Sequence, residues 1–328
     1  MVGRPRGTAS ALSVHSRKTI KDAKDTLVPT RPTLMNIARP RRPLRWLQRG
    51  LAAALLTYGA LLALIYTRQE ALLFHPEPLP ADFSFAGRYT PEQDFETLRI
   101  PVDGAELDAL LFRQPASRGL VFYLHGNTGN LATWTTHVAL YHRLGFDLFM
   151  LDYRGFGRSG GRIDGEAQLH ADVRAAWERI APAYAGRPVV ILGRSLGSGL
   201  ATRLARDLAQ AAPPARSPDL LVLVSPYASM LRLARENYPL VPGALLRYPL
   251  RSDLAIGALA CPVLILHGAR DAVTPLAHAE ALRAASGGRA ELLTIADAAH
   301  DDIHLFPAYG DGLARRFGAL RTPVRAGE

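Results

Sequence analysis

A single cysteine among 328 residues rules out any intrachain disulfide, and Cys261 reads as a small buried apolar residue entering a strand. Lysine is missing after Lys24: Lys18, Lys21 and Lys24 are the only three, and every later cation other than histidine is arginine. Metal-ligand spacings are missing too. His300 and His304 stand four apart without a nearby glutamate, so no metal and no organic cofactor is expected. There is no internal repeat. Acidic residues are scarce only at the start. Residues 1–50 hold two Asp/Glu against twelve Lys/Arg, which leaves twenty-seven of each sign for residues 51–328. The net charge of +10 is therefore a property of the N-terminus, and the formally neutral body argues against a nucleic-acid partner.

Residues 1–34 are polar and basic without hydrophobic period, and disorder is expected there. The loss of lysine just before Met35 leaves two readings, a natural start at Met35 or a real disordered tail from Met1. Arg39, Arg41, Arg42, Arg45 and Arg49 then precede Gly50–Thr67, eighteen residues with no charge. At ~1.5 Å per residue that stretch is about 27 Å long, close to a hydrocarbon core. Trp46, Tyr58 and Tyr66 include candidate interfacial anchors near each end. The run is long for a signal-peptide core and lacks a small-x-small cleavage site before Arg68, which favours an uncleaved signal anchor over a cleaved signal or a buried soluble helix. The arginines place the N-terminus in the cytoplasm and the body on the opposite, periplasmic or extracytoplasmic, side of a single-pass membrane protein. The expected organisation is a disordered basic segment over 1–42, a transmembrane anchor over 43–68, a proline-marked linker over 69–80, and a catalytic domain over 81–328.

Phe95–Pro101 and Glu106–Phe112 read as an antiparallel pair turned at Asp103-Gly104. Apolar strand candidates at 119–124, 146–151, 189–192, 220–224, 263–266 and 290–295 then alternate with helical stretches near 131–144, 165–184, 196–212, 228–236, 275–285 and 308–318. That alternation predicts an α/β fold with a mainly parallel sheet of about eight strands and helices on both faces.

The chemistry centres on Gly193-Arg194-Ser195-Leu196-Gly197, a G-x-S-x-G between a strand and a helix. The pattern makes a tight turn with the serine at its apex, and the glycines avoid collisions with the neighbouring strand and helix. A neutral serine needs a base, a group orienting that base, and donors for the oxyanion formed on attack. In a parallel sheet these gather at the carboxyl ends of strands. His137, His142, His170 and His278 fall in helices, while His125 and His267 end strands before glycines and read as loop braces. His300, in the loop between the last strand and last helix, is the expected base, with His304 as the alternative. Asp271, after the penultimate strand, is the expected orienting acid. Its rivals Asp297, Asp301 and Asp302 are close to His300 in sequence and are expected to cap the last helix. The oxyanion donors are expected to be the backbone N–H groups of Leu196 and of Asn127, with Thr128 as the alternative, in Leu124-His125-Gly126-Asn127-Thr128-Gly129-Asn130. The loop Asp152–Ser159 reads either as a pocket floor or as structural support.

The order Ser…Asp…His, the elbow, the His-Gly loop and Asp152-Tyr153-Arg154-Gly155-Phe156-Gly157-Arg158-Ser159 resemble the α/β-hydrolase superfamily. The Leu-His-Gly-Asn-Thr-Gly-Asn loop, the Phe74-His75-Pro76 lead-in and the N-terminal anchor are similar to its membrane-anchored serine hydrolases, the α/β-hydrolase domain-containing group, which includes depalmitoylases and monoacylglycerol or lysophospholipid lipases. The resemblance spans about residues 70–318 and implies Ser195 as nucleophile, Asp271 as acid and His300 as base. It implies cleavage of lipid-like acyl esters or thioesters through an acyl-enzyme, next to a lipid bilayer. A serine peptidase with the same triad and a non-catalytic tethered binding protein are the competing readings. The short insert around 226–252, rich in Tyr, Leu and Pro, reads as a small acyl-binding lid or as ordinary packing.

Overall fold

The structure is a computed structural model that describes residues 42–87, 94–135, 138–212 and 216–320. Residues 1–54 and 55–328 form two separate compact units. Of the first, only the N-terminal part of helix α1 (Arg42–Thr67) is described. The expected disordered segment, including the alternative start at Met35, thus lies almost wholly outside the described residues. Among the described residues, Pro43–Thr67 is the one helix long and apolar enough to cross a membrane, with a mean hydropathy of 1.8.

After α1 come α2 (Gln69–Leu73), β1 (His75–Pro76), β2 (Phe95–Val102), β3 (Ala105–Phe112), β4 (Gly119–Leu124) and β5 (Thr128–Gly129). Helices α3 (Leu131–Trp134) and α4 (Val138–Arg143) precede β6 (Phe146–Leu151), α5 (Glu166–Ile180), β7 (Val189–Arg194), α6 (Leu196–Gln210) and β8 (Leu220–Val224). The remainder is α7 (Met230–Asn237), α8 (Ser252–Ala255), β9 (Val263–Gly268), α9 (Ala277–Ala285), β10 (Glu291–Ile295) and α10 (Pro307–Gly318). Eight strands form one sheet in the order β10-β9-β8-β7-β4-β6-β3-β2, and β3 alone runs against the rest. The two-stranded β1–β5 pairing is separate.

The central strands read as unbroken apolar runs because both of their faces are covered. Successive side chains point to opposite faces. Leu120, Phe122 and Leu124 of β4 pack with Ile191 of β7 and with Trp177 and Leu204 of α5 and α6. Val121 and Tyr123 pack with Val190 and Leu192, and with Tyr141 of α4 and Leu313 of α10. Each such aliphatic side chain contributes about 1.5–3 kcal/mol relative to exposure. The parallel strands deliver the turns after β4, β7, β9 and β10 to one edge of the sheet, where the site is built.

Two expectations change. The stretch 69–80 is more than a linker. Gln69 and Phe74 are buried, the Gln69 amide donates to Leu245 O at 2.6 Å and accepts from Arg247 N at 2.8 Å, and His75–Pro76 pairs with Thr128–Gly129. The Gln69 partners are some 175 residues away in sequence and those of His75–Pro76 some 50, so the prolines alone suggested an unattached segment. The helix expected over 131–144 is described as two short ones, α3 and α4.

Candidate active site

Strand β7 runs straight into the elbow. Ser195 has φ 51° and ψ −119°, a left-handed conformation that a β-carbon resists, and it is held there by Ser195 N–H to Val224 O at 3.0 Å. Any β-carbon at Gly193 would strike the Gly197 carbonyl, and one at Gly197 would strike the Leu124 carbonyl of β4. Both glycines of the motif are therefore required by close backbone approach. The serine is the first flanking residue of α6, whose N-terminal amides and dipole favour negative charge beside it.

His300 and Asp271 meet at this serine. His300 Nε2 lies 3.0 Å from Ser195 Oγ, and His300 Nδ1 lies 2.8 Å from Asp271 Oδ2. Asp271 is surrounded by donors. Its Oδ1 accepts from the backbone N–H groups of Val273 at 2.9 Å and Thr274 at 2.7 Å, and its Oδ2 accepts the Thr274 hydroxyl at 2.9 Å. Burial opposes the charged carboxylate, but the hydrogen bonds from His300 and Thr274 outweigh it and hold Asp271 below its ordinary value. His267 is fully buried and donates Nε2–H to Thr274 O at 2.7 Å, bracing the Asp271 turn as expected. Burial lowers its pKa, consistent with a neutral ring.

The loop after β4 forms the opposite wall. Gly126 lies against Ser195: a β-carbon on it would stand 3.7 Å from the serine Cβ and press into the Trp134 ring. Asn127 is fixed by Nδ2–H to Leu73 O at 3.0 Å and by accepting His75 N–H at its own carbonyl at 2.7 Å. Among the described residues, neither the Asn127 nor the Leu196 backbone N–H has an acceptor. His125 donates Nδ1–H to Gly126 O at 2.7 Å and so braces this loop.

The other sequence candidates lie elsewhere. His304 sits 3.4 Å from the Arg194 guanidinium, with its pKa lowered by burial and by that cation. Asp297 is exposed and paired with Arg270 at 2.6 Å, and Asp302 accepts Ala299 N–H at 2.7 Å. Neither caps α10, which starts at Pro307 after Phe306, so the capping expectation is corrected: Arg270 takes the Asp297 carboxylate and the Ala299 amide takes that of Asp302. The Asp152–Ser159 loop is support and not pocket floor. Tyr153 OH donates to His125 O at 2.9 Å, Arg154 pairs with Asp172 at 2.6 Å and Arg158 with Asp108 at 2.8 Å.

Comparison with known proteins agrees with this architecture. The family model described as serine aminopeptidase, S33 matches residues 115–249, which contain the elbow and the His-Gly loop. An uncharacterized protein of Mycobacterium tuberculosis is 29% identical over 265 residues, covering 77% of this chain and 88% of that one. Lysophosphatidylserine lipase ABHD12 of Danio rerio is 33% identical over 177 residues, 49% of this chain, which spans less than half of that lipase (45%). The structure of a Pyrococcus furiosus esterase superposes with a TM-score of 0.56 at 19% identity, covering 74% of this chain and 97% of the esterase. The chain has the α/β-hydrolase fold, and the family model and the lipase it matches support that superfamily.

In this α/β-hydrolase fold the serine opens into a cavity of about 530 Å³. Its walls include Met230, Leu233 and Tyr238 of the insert, together with Leu72 and Leu73 of α2. The last two were missed in the sequence, where they stand in an apparent linker, and their only signal is an apolar pair beside a helix end. Arg194 was also missed as a cavity residue. It is buried, donates to the carbonyls of His300 at 3.2 Å and Asp301 at 2.9 Å, and lies 5.1 Å above the Trp134 ring. It thereby ties the elbow to the loop carrying His300. Among the described residues, no three or more His, Cys, Asp or Glu side chains group as a metal site. Cys261 packs at the edge of the core with its thiol pushed up by burial to about 11, far from a reactive thiolate.

Proposed function

We propose that this protein is a membrane-anchored serine hydrolase that cleaves carboxylic esters or thioesters of lipid-like substrates through an acyl-enzyme. The observation carrying this reading is the continuous chain from Ser195 through His300 to Asp271, at 3.0 and 2.8 Å, on a strained strand-to-helix turn. Ser195 Oγ attacks the acyl carbonyl while His300 Nε2 takes its proton. Asp271 holds the Nδ1–H tautomer and stabilises the imidazolium. The developing oxyanion is held by the N–H groups of Leu196 and Asn127. His300 then gives its proton to the leaving alkoxide or thiolate, and water, deprotonated by the same imidazole, releases the acid. The insert over 226–252 acts as a small lid, with Met230, Leu233 and Tyr238 against the acyl chain.

Membrane anchoring is supported by the Pro43–Thr67 helix and by the arginines that precede it. These charges assign the N-terminus to the cytoplasm and the catalytic domain to the other side. The lipase named among the relatives supports a lipid-like substrate. The description of the matching family favours one second reading, an aminopeptidase. Such an enzyme must hold a substrate ammonium, and among the described residues Asp301 is the only carboxylate lining the cavity, with Asp271 behind His300.

The test is turnover of p-nitrophenyl esters from acetyl to palmitoyl, beside aminoacyl-p-nitroanilides, by the full chain and by Ser195→Ala. Ester turnover that vanishes in the variant supports the proposal. Turnover of the anilides alone moves the assignment to the peptidase.

A further inference from the structure

Residues 238–246, Tyr-Pro-Leu-Val-Pro-Gly-Ala-Leu-Leu, contain no charged side chain. They leave the end of α7 along an irregular path with one short turn at Gly243–Leu245. Tyr238 and Leu240 are 66% and 80% exposed. A loop facing water has no reason to be this apolar over nine residues. Much of its backbone is also paired within the protein. Pro239 and Pro242 have no N–H to satisfy. The N–H groups of Val241, Leu245 and Leu246 donate within the loop, to the carbonyls of Tyr238, Pro242 and Gly243. Leu240 O accepts the Tyr58 hydroxyl at 2.5 Å, and Leu245 O accepts the Gln69 amide at 2.6 Å. Pairing of this kind lowers the cost of taking irregular backbone into hydrocarbon.

Tyr58 also sets a depth. It stands nine residues before Thr67, the end of the apolar helix, which is about 13 Å along the axis at ~1.5 Å per residue. A hydrocarbon core is about 30 Å thick, so a group bonded to Tyr58 lies well inside one leaflet. The charged cluster of Arg247, Glu70 and Asp164, joined at 2.6 and 3.5 Å, appears only beyond the end of that helix, where an interface would lie.

We infer that the 238–246 segment is sunk in the lipid leaflet beside the end of the apolar helix, and that an acyl substrate enters from that leaflet between this segment and α2 to reach Ser195. The inference rests on the membrane-anchored hydrolase reading above. Leu72, Leu73 and Tyr238 line the cavity, so its apolar wall continues into the sunk segment. An acyl chain then passes from lipid to the serine without crossing water.

The test uses the full chain in phosphatidylcholine vesicles. A nitrobenzoxadiazole label is placed on Leu240→Cys in a Cys261→Ser background. The control is the same label on Glu178→Cys, in the last turn of α5. Emission from position 240 should shift to the blue and be quenched at least twofold more by doxyl-labelled lipid than emission from position 178. Equal quenching at both positions, or none at 240, overturns the inference. Leu240 does not line the cavity, so Leu240→Glu should lower turnover of a vesicle-borne long-chain monoacyl ester about tenfold. Turnover of p-nitrophenyl acetate in solution should change less than twofold. A parallel fall for both substrates, or no fall for either, also overturns it. The depth reading needs no catalysis, so a chain that hydrolyses neither ester defeats the hydrolase proposal and leaves the position of the segment separately measured.

Discussion

Two histidine–aspartate pairs stand at neighbouring strand ends, and they are wired in opposite ways. In the pair at the serine, Asp271 receives two backbone N–H groups, a threonine hydroxyl and the imidazole, and its carboxylate is held below the ordinary range. In the pair behind the oxyanion loop, His125 has spent its Nδ1–H on Gly126 O, so its Nε2 faces Asp152 Oδ1 at 3.3 Å without a hydrogen bond between them. Asp152 is fully buried and receives one backbone N–H, from Leu131 at 3.2 Å. Burial dominates there and raises its pKa, despite the opposing effect of His125. The same two residue types therefore hold a charged carboxylate at one site and a carboxyl whose neutral form is favoured at the other. The number of donors aimed at the carboxylate decides which.

The strongest way to break this comparison is to neutralise each acid in turn. Asp271→Asn keeps the shape but removes the acceptor that fixes the His300 tautomer, so kcat for ester hydrolysis should fall by about 10³–10⁴. Asp152→Asn should change kcat less than about fivefold. Its amide can donate to His125 Nε2 while its oxygen keeps the Leu131 N–H, which satisfies both orphaned atoms. Asp152→Ala leaves the Leu131 N–H and His125 Nε2 buried and unpaired, and should cost about 2 kcal/mol in denaturant unfolding. A kcat loss for Asp152→Asn as large as that for Asp271→Asn would mean that both pairs work in the chemistry.

The pH dependence of stability runs in opposite directions for the two acids. The folded pKa of Asp271 is depressed, so its contribution is present above the ordinary carboxylate value and is lost as pH falls through the folded value. The folded pKa of Asp152 is raised, so its contribution is full below the ordinary value and is lost as pH rises through the folded one. Thermal unfolding against pH should therefore show Asp152→Asn flattening a decline that wild type suffers above about pH 4, the ordinary carboxylate value. Wild-type and variant curves that stay parallel there would contradict the assignment.

A smaller effect tests the donor count directly. Thr274→Val removes one hydroxyl from Asp271 and should lower kcat by about tenfold, equivalent to ~1–1.5 kcal/mol for one hydrogen bond. The smallest expected effect is at Cys261. With its thiol raised to about 11, maleimide treatment should leave ester turnover within about twofold of untreated protein.

The strands of the sheet's parallel part were legible because strands buried on both faces are continuous apolar runs bounded by turn residues; their order in the sheet was not predicted. The meeting of Ser195, His300 and Asp271 was legible because each ends a different strand of one parallel sheet, and such a sheet brings those ends to one edge. Less of the surrounding support could be read. Polar residues in Asp152–Ser159 look the same in a sequence whether they face substrate or brace a neighbouring loop, and only the packing of Tyr153 and Arg154 distinguishes the two. The role of α2 depends on contacts between Gln69 or Glu70 and residues 245–248. No local pattern encodes a contact at that separation. Arg194 was hidden for a different reason: it occupies the variable position of the elbow motif, where the chemistry of the serine makes no demand.

The central claim is that Ser195 is an activated nucleophile, and fluorophosphonate labelling of the full chain tests it most directly. The account predicts one covalent adduct per chain, mapped to Ser195 by peptide mass, absent in Ser195→Ala and at least a hundredfold slower in His300→Ala. Labelling that persists in Ser195→Ala, or a wild-type chain that takes no label while folded, would contradict it.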